Sequence, residues 1–85
     1  MRKFTKRIFI DKGFQPEFFF SRIYTPIGIR YHVSVMDSAD RFSVFFNMVE
    51  QEGSFRIINA PEVPDWIRNL EQELEQAILE NGIGE

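Results

Sequence analysis

Residues 63–82 read VPDWIRNLEQELEQAILENG, and this stretch decides the fold because its apolar residues recur at helical spacing. Intervals of three and four place these residues on one side of an α-helix, with polar residues on the other. The apolar positions are Val63, Trp66, Ile67, Leu70, Leu74, Ala77 and Ile78. Pro64 suits a first helical turn, and Gly82 suits the residue that ends a helix. The spacing therefore predicts one amphipathic helix over 64–81.

A single helix cannot bury an apolar stripe against itself, so the residues upstream must supply the opposing surface. They contain segments in which apolar and polar residues alternate, which is the period of a β-strand. The predicted strands are 3–11, 17–24, 29–37, 41–50 and 54–60. For the segment 3–11 a short helix is the alternative, because Lys6 interrupts the apolar side of the alternation.

Short connections with turn-forming residues separate these strands, as at Lys12-Gly13 and at Glu52-Gly53. Strands joined by such short loops can pair only as antiparallel neighbours. The sequence thus predicts an α+β fold: an antiparallel β-meander of four to five strands with one C-terminal amphipathic helix packed on one face. We expect residues 1–85 to form a single small domain.

The alternation assigns the strand residues to two faces of the sheet. The face toward the helix is predicted to hold Tyr31, Val33, Val35, Phe42, Val44, Phe46, Phe55 and Ile57. The opposite face is predicted to hold Phe19, Ile23, Met36, Phe45, Val49 and Ile58, mixed with Ser21, His32, Ser34, Ser43, Asn47 and Arg56.

The six apolar residues on the opposite face form the candidate site. A monomer rarely leaves so many large apolar side chains together in water. We therefore expect this face to be a protein interface, most simply that of a two-fold homodimer, because one self-complementary patch is sufficient. Alternatively, the N-terminal segment covers this face, or the strand register differs from the one assumed.

Charge is distributed unevenly along the chain, whose formal net charge is −3. Residues 1–12 carry five bases and one acid, whereas residues 61–85 carry seven acids and one base. In one interpretation the basic N-terminal strand lies near the acidic helix and partly offsets its negative charge. In the other, the basic end binds an anionic partner. The acidic run Glu71, Glu73, Glu75 and Glu80 is interpreted as the solvated side of the helix, and docking of a basic partner there is the alternative.

The sequence offers no recognisable catalytic or metal-binding constellation. His32 is the only histidine and cysteine is absent, which excludes a usual zinc site, a cysteine nucleophile and disulfides. The turn residues Asp37 and Asp40 supply too few oxygen ligands for a calcium loop. We therefore expect a protein that is not an enzyme, with no cofactor and no metal.

The leading functional prediction is a non-catalytic protein-interaction module whose partner is a second copy or another protein. The alternative is a single-stranded nucleic-acid-binding domain of the ββββα type, because aromatic side chains on strands next to lysines and arginines can stack on nucleotides. Nucleic acid is the less expected partner, since the chain is acidic overall. No apolar run approaches the ~20 residues that span a bilayer, so we expect a soluble cytoplasmic protein without membrane contact.

Overall fold

The sheet contains five antiparallel strands in the spatial order β1-β2-β3-β4-β5, the same as their order along the chain. The computed structural model describes residues 2–37, 42–58 and 63–81. Its strands are β1 (Arg2–Arg7), β2 (Glu17–Thr25), β3 (Gly28–Asp37), β4 (Phe42–Gln51) and β5 (Ser54–Ile58), and its helices are α1 (Asp65–Arg68) and α2 (Glu71–Asn81). The predicted α+β fold class, a meander followed by a C-terminal helix, is confirmed.

Two tight turns set the register of β2 with β3 and of β4 with β5. Glu52 and Gly53 between β4 and β5 both have positive φ, at 55° and 87°, as a type I′ hairpin turn requires. Between β2 and β3, the Thr25 hydroxyl donates to the carbonyl of Gly28 at 2.8 Å. Gly28 itself has a φ of 136°, a conformation that a residue with a Cβ rarely adopts.

The N-terminal segment is a strand and not the alternative short helix. It pairs with β2 from Arg2 opposite Arg22 to Arg7 opposite Glu17. The regular ladder is shorter than the predicted range of 3–11, but the same register continues in two further hydrogen bonds. The amide of Ile8 donates to the carbonyl of Pro16 at 3.0 Å, and that of Ile10 donates to the carbonyl of Phe14 at 3.1 Å.

The helix predicted over 64–81 is interrupted at residues 69–70. The amide of Leu70 bonds to the carbonyl of Ile67, three residues back, and this tighter turn ends α1. The amide of Leu74 then bonds to the carbonyl of Leu70, four residues back, as α2 begins. Asn69 lies at this interruption, and asparagine is a weak residue for a helix interior because its side chain competes for backbone hydrogen bonds.

The apolar stripe of the helical segment packs against one face of the sheet in spite of this interruption. Most of the buried core comes from that stripe and from the predicted helix-facing strand residues. The buried apolar residues are Ile8, Phe18, Phe20, Tyr31, Val33, Val35, Phe46, Met48, Phe55, Val63, Ile67, Leu74, Ala77 and Ile78. Among the other residues predicted for this face, Val44 and Ile57 are partly buried, and the side chain of Phe42 lies outside the described part of the chain.

Aromatic rings fill much of this core. The ring centroids of Phe4 and Phe20 lie 4.6 Å apart in a stacked pair, and those of Tyr31 and Phe55 lie 5.4 Å apart in a T-shaped pair. Trp66 on α1 contacts Phe14 at 5.1 Å, which fastens the β1–β2 connection to the helical segment. Edge-to-face and offset-stacked pairs at these distances add about 0.5–1.5 kcal/mol each beyond the area they bury.

Candidate functional site

The sheet surface away from the helices, here called the reverse face, brings together the six predicted interface residues. The register aligns Phe19, Ser34 and Phe45 in one row across β2, β3 and β4. Parallel rows on the same face contain Ser21, His32, Asn47 and Ile58, then Ile23, Arg30, Val49 and Arg56, and at the other end Met36 and Ser43. A register shifted by one residue would have moved all of them to the helix side.

Three of these residues are widely exposed in the single chain. The exposed fractions are 50% for Phe19, 58% for Met36 and 62% for Phe45. Ile23, Val49 and Ile58 are partly buried. The N-terminal strand β1 does not cover the face, because it pairs beside β2 at the edge of the sheet. Phe19, Met36 and Phe45 are therefore exposed on the same open face of the sheet.

Bases outnumber acids on the described reverse face. The strand register places Lys3, Arg7, Arg30 and Arg56 there, against the single carboxylate of Glu17. Two of these bases have acidic neighbours: Arg7 lies 3.7 Å from Glu17, and Arg56 lies 3.3 Å from Glu71. The reverse face is thus basic, whereas the helical side carries Glu71, Glu73, Glu75 and Glu80.

Arg30 and Arg22 lie on opposite faces of the sheet. Arg30 lies on the reverse face, and its Nε is buried without a hydrogen-bond partner in the described part of the chain. Arg22 points to the helix side, is buried, and stacks its guanidinium 5.2 Å from the ring centre of Tyr24. Arg22 therefore adds no charge to the reverse face.

The only histidine of the chain is packed into this surface. Its Nδ1 lies 3.3 Å from the Oδ1 of Asn47, and its ring lies 6.0 Å from that of Phe45. An amide neighbour orients an imidazole without supplying the negative charge that would support a general base. In the ranges that the structure describes, no three His, Asp or Glu side chains are grouped as a metal ion would need.

The outer edge of β5 is a second feature of interest, because carboxylates from α2 occupy its backbone donors. The amide of Phe55 donates to Glu75 Oε2 at 2.9 Å, and the amide of Ile57 donates to Glu71 Oε2, also at 2.9 Å. A step of two residues along a strand covers about 6.7 Å, and a step of four residues along a helix covers about 6 Å. The two carboxylates are therefore spaced about as far apart as the two amides that they accept from. Glu71 and Glu75 are therefore not the solvated residues that the sequence suggested.

The outer edge of β1 differs from that of β5 because its outward backbone groups have no partner in the described part of the chain. Since Ile8 directs its amide to β2, the alternation of strand backbone groups directs those of Lys3, Thr5 and Arg7 outward. No described residue hydrogen-bonds to these outward groups. Beside this edge, a cleft of about 290 Å³ separates β1 from α2, lined by Lys6, Arg7, Ile8, Phe9, Glu73, Gln76, Ala77 and Glu80.

Comparison with known proteins adds no assignment. No family model matches the chain, and searches of curated proteins and of solved structures found no match. Within the described ranges, no helix has the length and hydrophobicity needed to cross a bilayer. The function is therefore inferred from the chemistry of the reverse face and of the two sheet edges.

Proposed function

We propose that this chain is a small, non-catalytic interaction module that forms a homodimer through its reverse face. The observation that carries the proposal is the row in which Phe19 and Phe45 flank Ser34, with half or more of each aromatic side chain exposed. Phenylalanine side chains contribute much of the energy of protein association when they are removed from water. Met36 and the partly buried aliphatic residues extend this apolar surface on both sides of the row.

The size of the reverse face fits a small specific interface. Five strands spaced about 4.8 Å apart are about 20 Å wide, and strands of this length run for about 25 Å. Two such faces packed together would bury on the order of 1,000 Å², which is near the lower limit for a specific protein interface. We therefore expect a dimer that dissociates in the micromolar range.

A second copy is the simplest occupant of this face. Two sheets pack well when their inner surfaces are both pleated and twisted in the same sense, which two copies of one sheet satisfy. A two-fold axis uses one patch twice, so each copy buries its own Phe19 and Phe45. The small polar residues between the aromatic side chains leave space into which the partner's rings can pack.

The test compares Phe45→Glu with Leu79→Glu, which places the same charge at an exposed apolar residue of α2, 42% exposed and away from the reverse face. Loss of a central aromatic residue typically costs about 2 kcal/mol or more of binding energy, so dimerisation should weaken at least about thirtyfold. Size-exclusion chromatography with light scattering should show a folded Phe45→Glu monomer and an unchanged Leu79→Glu dimer. Equal masses for the two variants would contradict the proposal, and unfolding of Phe45→Glu would place Phe45 in the core.

A second candidate function is binding of single-stranded nucleic acid on the same face. The excess of basic over acidic residues on that face, next to two exposed phenylalanines, favours this function. Stacking on aromatic residues contributes about 1–3 kcal/mol per base, and backbone phosphates would pair with the arginines. Fluorescence anisotropy with a labelled oligothymidylate at about 50 and 200 mM salt tests this candidate. Absence of binding at the lower salt concentration removes it.

A further inference from the structure

We infer that the outer edge of β1 accepts an additional β-strand from a partner protein: an extended acidic segment whose residues alternate between acidic and apolar. This edge adjoins the reverse face, but its outward backbone groups take no part in the proposed dimer interface, so the inference does not depend on the dimer. The two edges of the sheet differ in how their backbone groups are occupied. The donors of Phe55 and Ile57 on β5 are occupied by carboxylates, whereas the outward groups of β1 bond to no described residue.

An unpaired strand edge is a template for another strand, and proteins commonly protect it. In this chain the protection of β5 is specific and comes from Glu71 and Glu75. On β1 it is only electrostatic, because the edge carries Lys3, Lys6 and Arg7. A positively charged edge repels basic strands and attracts acidic ones, so it is selective for partners of the opposite charge.

A second copy of β1 does not fit this edge. Antiparallel pairing of two β1 strands centred on Thr5 would place Lys3 of one copy opposite Arg7 of the other, and like charges opposite each other destabilise a strand pair. An acidic strand has the complementary charge. Lys3 is exposed and has no ion-pair partner in the described ranges, so it is available to a carboxylate.

The surroundings of β1 also determine which side of the added strand is acidic. Lys3 and Arg7 project on the reverse-face side, where an acidic residue of the partner would lie beside them. On the helix side lie partly buried Phe4, buried Ile8 and the cleft along α2, where the ammonium group of Lys6 is 3.8 Å from a carboxylate oxygen of Glu80. Glu73 and Glu80 line that cleft and repel acids, so the partner's apolar side chains belong on this side, with one of them entering the cleft.

The probe for this site is a synthetic eight-residue peptide in which glutamate and valine alternate. Two controls are a lysine–valine peptide of the same alternation and a peptide of the same composition with its glutamates and valines in separate blocks. Fluorescence anisotropy should show at least about tenfold weaker binding of both controls. Methylation of the backbone nitrogens of the first peptide that face β1 should weaken it by at least about tenfold, because added strands bind through main-chain hydrogen bonds.

Variants of the protein locate the site. Thr5→Pro removes an outward amide and leaves the ladder to β2 intact, since proline is tolerated on an edge strand whose N–H faces solvent. Lys3→Glu reverses a charge at the site, and Lys12→Glu makes the same change at an exposed turn residue outside β1. We expect Thr5→Pro and Lys3→Glu to weaken binding at least about tenfold, and Lys12→Glu to change it less than about twofold.

Nuclear magnetic resonance of the labelled protein completes the test and also applies if Thr5→Pro fails to fold. Addition of the glutamate–valine peptide should shift the amides of Lys3, Thr5 and Arg7 and slow their hydrogen exchange. The inference is overturned if no binding occurs at millimolar peptide, if the lysine peptide binds as tightly, or if the shifted residues lie on β5 or around Phe45. Running the titration on Phe45→Glu as well separates this site from the proposed dimer interface.

Discussion

The backbone amide of Ile57 on β5 donates a 2.9 Å hydrogen bond to Oε2 of Glu71 on α2. Glu75, one helical turn later, accepts in the same way from the amide of Phe55, two strand residues earlier. The first half of α2 therefore holds the edge of β5 through charge-assisted hydrogen bonds, which are about twice as strong as neutral ones. At its other end Glu80 lies 3.8 Å from Lys6, so α2 reaches from one edge strand to the other.

The first prediction follows from this pairing. Glu75→Ala should lower the free energy of unfolding by about 1–3 kcal/mol, because the partly buried amide of Phe55 loses its acceptor. Glu75→Gln keeps an acceptor oxygen and should cost less. Glu73→Ala is the control, since Glu73 is exposed and such changes usually stay within about 0.5 kcal/mol. Urea denaturation measures all three variants, and equal effects of Glu75→Ala and Glu73→Ala would contradict the account of this edge.

The second prediction concerns the turn between β4 and β5. Gly53 has a φ of 87°, so Gly53→Ala should destabilise the protein by about 1 kcal/mol through backbone strain alone, since no atom lies within 4 Å of the added Cβ. Glu52→Asn should have the opposite sign, raising the melting temperature, because asparagine adopts the positive φ of this position more readily. Thermal denaturation followed by circular dichroism distinguishes the signs, and stabilisation by Gly53→Ala would refute the turn assignment.

A third prediction compares two leucines of α2. Leu74 is fully buried, so Leu74→Ala should cost about 2–5 kcal/mol by removing buried methyl groups and leaving a cavity. Leu79 is 42% exposed, and Leu79→Ala should cost less than about 1 kcal/mol. Chemical denaturation with both variants tests the orientation of the helix. Similar losses for the two leucines would mean that α2 presents a different face to the sheet.

A fourth prediction uses salt to separate the two candidate functions of the reverse face. Two basic faces repel each other, so raising the salt concentration from about 50 to 500 mM should tighten the proposed dimer by screening Lys3, Arg30 and their neighbours. Binding of a nucleic acid would weaken over the same range, because it depends on the release of counterions from phosphates. Sedimentation velocity at the two salt concentrations gives the sign for the dimer. A dimer that dissociates at high salt would contradict its proposed apolar character.

The sheet and the helical stripe were predictable because both depend on hydrophobic periods that are local in the sequence. Alternation within β3 and β4 placed Val33 and Phe46 inside and Phe45 outside, and the structure agrees. The interruption at residues 69–70 was not predictable in this way, because the apolar spacing continues through it and only the hydrogen bond of Leu70 reveals it.

The roles of Glu71 and Glu75 were missed for a different reason. Both acids lie on the polar side of the helix, where periodicity alone indicates solvent. Their partners are backbone amides of β5. The pattern of side chains in a sequence does not show which backbone donors remain unpaired in the fold. The one available signal was their spacing of four residues, which puts both carboxylates on the same side of the helix.

The most direct test of the proposed homodimer is sedimentation equilibrium of the unmodified protein between about 1 and 200 µM. The reverse face predicts a single reversible transition from the chain mass of 10.1 kDa to twice that mass, with a midpoint in the micromolar range. A mass that stays at 10.1 kDa throughout this range would contradict the proposal that Phe19 and Phe45 associate with a second copy.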